Sequence, residues 1–197
     1  MSGDCEPIVE SAMDVYDWVH LPTGLEAQAL WGMHDAELIS IHSNADRREV
    51  TMIFEAPHLM RFHGFPEDLQ FIFRFTGVSS VRAVRGRPNE LNPAIRTYLE
   101  ESVSWRSLEC SMTRENEQYI DVNYVEFVSN HIDKIAFRLE GYFNHADRHE
   151  LIIRGKKLDV MRSDRKATSI EYLHDLGKLF WKSWKEKHSA GNATHPE

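Results

Sequence analysis

Apolar and polar positions alternate most clearly between residues 31 and 84, and the rest of the chain is read around this stretch. Residues 36–42 form a first expected strand, and Ala45-Asp46-Arg47-Arg48-Glu49 is a charged tip suited to a hairpin. Val50, Met52 and Phe54 then share one face at period two while Thr51 and Glu55 take the other, the pattern of a half-buried antiparallel strand. Pro57 ends it and opens a loop carrying His58 and His63. A third strand follows in residues 69–75, with Phe71, Phe73 and Phe75 on one face and Gln70 and Arg74 on the other. Residues 85–93 read as a connection, and residues 94–101 as a short helix behind Pro93.

Strand patterning resumes in residues 104–113, which place Leu108, Cys110 and Met112 on one side. After a polar turn at 114–118 it continues through 119–127, where Ile120, Val122 and Tyr124 share a face, and through 134–142, where Ile135, Phe137 and Leu139 do. Residues 150–161 suggest a strand pair or one long strand bent at Gly155. Phe71 to Val78 resembles Ile135 to Tyr142, so two related meanders are expected. The chain closes on an amphipathic helix: Thr168-Ser169-Ile170-Glu171 has capping-box spacing, and Ile170, Leu173, Gly177, Phe180, Trp181 and Trp184 recur at helical intervals. That aromatic stripe is expected to cover the sheet. The fold class is therefore α+β, a mostly antiparallel sheet with a C-terminal amphipathic helix.

Composition sets outer bounds. With 197 residues, 42% hydrophobic and 27% charged, the chain can bury one good-sized core, and a single domain over residues 1–197 is expected. Residues 1–10 and 189–197 read as loose tails, and residues 11–20 as a short helix or extended arm with Val15, Trp18 and Val19 as its contacts. Neither a membrane-spanning run nor a secretion signal is evident, which leads to a cytoplasmic expectation. The two cysteines, Cys5 and Cys110, read as isolated thiols, with Cys110 in the core. Net charge is −8 and unevenly spread: residues 1–46 hold nine acids and no Lys or Arg, whereas residues 147–187 hold eleven Lys or Arg against seven acids. Such a molecule repels nucleic acid and attracts a basic protein. The same asymmetry also suits pairing of the two ends with each other.

Few constellations carry chemistry. His174-Asp175 resembles the metal-binding step of the HD phosphohydrolases, but those are helical and need further His and Asp ligands from other helices, so a metal-dependent phosphohydrolase using His174 and Asp175 stands as the alternative reading. The run Asn144 to Glu150 gathers two histidines and two acids, yet matches no defined ligand spacing and equally suits a polar hairpin tip. Arg74, Arg82, Arg85 and Arg87 suggest a basic strip, or guards of a sheet edge. Neither a nucleophile elbow nor a phosphate-cradling glycine loop occurs. No catalytic residue, metal or cofactor is assigned; a small-ligand-binding role is a further alternative.

The segment Trp31-Gly32-Met33-His34-Asp35-Ala36-Glu37-Leu38-Ile39-Ser40-Ile41, followed by a charged turn, an alternating strand and an aromatic strand ending in Phe75-Thr76-Gly77-Val78, resembles small bacterial immunity proteins of polymorphic toxin systems. The resemblance covers residues 31–84. It implies a protein that binds and blocks a cognate toxin, with His34 and Asp35 as a structural hydrogen-bonding pair. The expected partner is a toxin with a basic surface. It would meet Asp14, Asp17, Glu26, Asp35, Glu37 and Asp46, which lie in the stretch free of Lys and Arg.

Overall fold

The computed structural model describes residues 28–46, 48–88, 98–112, 118–130, 134–143, 147–166 and 168–191. Among these residues ten strands form one antiparallel sheet: β1 Gln28–Ala29, β2 Glu37–Ser43, β3 Glu49–Glu55, β4 Gln70–Thr76, β5 Ser80–Pro88, β6 Tyr98–Val103, β7 Ile120–Asn130, β8 Lys134–Phe143, β9 Asp147–Gly155 and β10 Lys157–Arg162. Three α-helices accompany them, α1 Pro57–His63, α2 Trp105–Ser111 and α3 Ile170–Gly191, with a 3-10 turn at Trp31–Met33. The α+β class read from the sequence is the class observed.

Strand order is β10-β4-β3-β2-β7-β8-β9-β5-β6, with β1 added beside β7. Two three-stranded meanders, β2-β3-β4 and β7-β8-β9, meet where Glu37 pairs with Asp121 and Leu38 with Ile120. The sheet folds back so that their inner faces pack together: the Phe137 ring on β8 lies 5.9 Å from Phe73 and 5.0 Å from Phe75 on β4. Phe71, Phe73, Phe75, Phe137, Leu139 and Leu151 are wholly buried in this core.

Each meander then gives its next strand to the other. β5 leaves β4 and pairs with β9, and β10 leaves β9 and pairs with β4. The crossing is reciprocal at the level of single amides: Ser79 N donates to Arg154 O at 2.9 Å and Lys156 N to Thr76 O at 3.0 Å. Gly77 makes the first crossing at φ 62°, a left-handed conformation that glycine adopts without penalty. The topological counterpart of β4 is thus β9, with Gly77 matching Gly155, and the expected match of Phe71–Val78 to β8 is displaced by one strand.

Several local expectations are corrected. Residues 57–63 are helical: Pro57 occupies the first turn of α1, where its missing N–H is harmless, and Gly64 closes the helix at φ 66°. Residues 105–111 form α2 where a strand was expected, because Ser104 accepts a bond from Ser107 N while Trp105, Leu108 and Met112 fall on one buried helical face. Cys110 consequently sits exposed on a helix. Residues 98–103 are a strand, not part of a helix, and residues 85–88 belong to β5 instead of starting a connection. A bulge between Val122 and Tyr124 reverses the alternation of β7, so Val125 turns inward and Tyr124 outward. The expected polar turn at 114–118 and the expected arm at 11–20 lie outside the described residues, except Gln118.

Candidate functional site

The C-terminal helix binds the sheet through bare backbone. Gly32, in the 3-10 turn, and Gly177, in α3, stand so close that a Cβ on Gly177 would lie 2.1 Å from Gly32 N and one on Gly32 would lie 2.4 Å from Leu173 O. Helix-to-turn contact at that distance admits only glycine at both positions. Above this contact Trp181 donates its indole Nε1–H to Trp31 O at 3.0 Å. Ser169 caps α3 by accepting from Tyr172 N at 3.2 Å, one residue later than the expected Thr168 cap.

Around that anchor the structure gathers aromatic rings from three elements. His34 lies 5.0 Å from Trp181, Phe180 lies 4.9 Å from Trp181, and Phe62 of α1 lies 5.5 Å from Phe180. Trp184 follows 5.8 Å beyond Trp181 and stacks on His188 at 4.0 Å. The His188 Nδ1 also donates to Trp184 O at 2.8 Å. Trp31 and Trp184 are each 46% exposed and Phe62 39%. Tryptophans this exposed mark recognition surfaces more than they mark cores.

An acidic corner adjoins the rings. Immediately after the 3-10 turn, Asp35 takes φ 61° and accepts from His34 Nδ1 at 2.8 Å, the pair expected from the sequence. Two residues on, β2 begins, and Glu37 stands between Glu55 on β3 and Asp121 on β7. Burial first, and then Asp121 and Glu37, push the Tyr119 phenol above its ordinary value. Gln70 donates its amide to Glu55 at 2.8 Å.

The expected partner-facing residues therefore divide. Asp35 and Glu37 meet at this corner, whereas Asp46 lies in the β2–β3 turn at the opposite end of β2, about 20 Å away at roughly 3.3 Å per strand residue. Asp14, Asp17 and Glu26 lie outside the described residues. Sequence reasoning missed Glu55 and Asp121, which pair with Glu37 only through register, and it missed Trp31 as an exposed ring.

Other candidates disperse. His174 and Asp175 ride on α3, and no group of three His, Cys, Asp or Glu among the described residues is placed to hold a metal ion. His149 is buried on β9, 5.4 Å from Phe143, and not at a polar tip. Arg74 pairs with Glu49 at 2.8 Å on the outer face of β4, while Arg82 and Arg85 point to opposite faces of β5, so Arg74, Arg82 and Arg85 do not line up as one basic strip. On the outer face of the second meander, burial opposes charge on Arg138, but Glu150, Glu126 and Glu140 outweigh it and hold the guanidinium ionised. Its Nε donates to Glu150 at 2.6 Å. Beside it burial, with the bond to Glu126, pushes Tyr124 up to about 12. This network satisfies its own charges across the strands.

Among the described residues no helix is long and apolar enough to cross a membrane. No protein-family model, curated protein or solved structure matches this chain.

Proposed function

We propose that this protein is a non-catalytic binding module that captures a protein with a basic surface, acting in the bacterial cytoplasm as an immunity protein neutralising a cognate toxin. The observation that carries the reading is the exposure of Trp31 and Trp184 on a surface that Asp35 joins through His34, whose ring meets Trp181. Rigid aromatic anchors supply binding energy, and adjoining carboxylates steer a cationic partner and fix its orientation. Toxins that act on anionic substrates present positive clefts, and an acidic surface with aromatic anchors is suited to occupy one.

The test is protection in cells. Co-expression with a basic toxin encoded beside the gene should restore growth, and the purified pair should form a stoichiometric complex without turnover. Replacing Trp31 and Trp184 together by Ala should abolish both while the protein stays folded. Stoichiometric transition metal in the purified protein, lost in His174→Ala, would overturn the reading in favour of a phosphohydrolase.

A further inference from the structure

His58, on the first turn of α1, is wedged between that helix, the turn at Gly32–Asp35 and α3. Its ring lies edge-on to Phe180 at 5.0 Å and within 6.4 Å of Trp181. Both ring nitrogens are shut away from solvent and neither has a hydrogen-bond partner. One turn later on α1, His63 donates Nε2–H to Leu176 O at 3.2 Å, so two histidines five residues apart fasten α1 to α3. One of them is hydrogen-bonded and the other packs as an aromatic.

A neutral imidazole suits such a niche, because an imidazolium there would be stripped of water with only the backbone of Gly32 and Asp35 near its N–H groups. From the turn, Asp35 and the backbone of Gly32 and Asp35 favour a charged ring, while His34 opposes one; α3 offers Phe180 and Trp181, which carry no charge. Burial outweighs these aids and holds the His58 imidazole below its ordinary value. The unfolded or undocked chain therefore takes up the proton more readily than the docked one. Packing is fully stabilised above the ordinary imidazole value and weakens as pH falls below it.

We propose that His58 is an acid-sensitive latch, whose protonation loosens α1 from the second half of α3 and thereby disorganises the Trp181–Trp184 surface. The latch itself follows from the packing alone; its effect on partner capture rests on the function proposed above, which makes release on acidification a property of the same surface.

Hydrogen exchange of the full chain, read as protection factors at about pH 8 and about pH 5.5 on either side of the ordinary imidazole value, tests it. In the wild type, amides of residues 180–188 should lose about tenfold protection at the lower pH while amides of β4 keep theirs. In His58→Phe, which keeps an aromatic ring and cannot protonate, the local loss should vanish. His58→Gln serves as the second non-titrating variant where Phe does not fit. Equal losses in the wild type and the folded variant, losses spread evenly over α3 and β4, or no loss in the wild type would each overturn the proposal. Acid-independent partner affinity beside a His58-dependent exchange change would instead remove only the link to binding.

Discussion

The two halves of α3 carry one continuous stripe and meet different surroundings. Ile170, Leu173, Leu176 and Gly177 are buried in the first half, with Leu173 wholly inaccessible and Gly177 pressed onto the 3-10 turn. The stripe goes on through Trp181, Trp184 and His188 with the same helical spacing, but Phe180 and Trp181 are only part-covered and Trp184 is 46% exposed. A hydrophobic stripe states which side of a helix turns inward. It does not state how far along the helix there is anything to turn toward, and the exposed remainder is where binding residues are to be sought.

Substitutions along the stripe sharpen this division. The largest loss is expected of Leu173→Ala, which empties a fully enclosed site and should lower stability by about 3 kcal/mol in chemical denaturation. Gly177→Ala adds a methyl where no space exists, forcing helix and turn apart at a cost of about 2 kcal/mol, visible as a lower Tm. Trp184→Ala should change stability by less than about 0.5 kcal/mol while weakening partner binding. A Tm drop for Trp184→Ala as large as that for Leu173→Ala would show the stripe buried along its whole length and erase the comparison.

Legibility in the sequence followed the range over which the physics acts. β3, β4, β8 and α3 were readable because period-two or helical spacing persists over at least six residues in each. α1 and α2 are seven residues apiece, too short for one period to prevail over the other; Trp105-Arg106-Ser107-Leu108 serves either, and the decisive signals were the Ser104 cap and the proline at the start of α1. Of the site, the His34–Asp35 pair was readable since the two are adjacent. The Gly32–Gly177 contact, the Glu37–Asp121 pairing and the burial of His58 arise from elements distant in sequence, and local pattern carries no record of them.

The exchange of β5 and β10 has a bearing on how the molecule comes into being. Ribosomal synthesis delivers β2, β3 and β4 early, yet the free edge of β4 gains its neighbour only when Lys157–Arg162 has been made. β5 can pair with β6 as soon as that strand is made but waits for β9 on its other side, so the first meander leaves the ribosome with an open edge. Closure depends on pairings far apart along the chain, the circumstance that slows folding and leaves nascent strands available to wrong partners. A chaperone acting on this protein would find its substrate in the interval between β4 and β10.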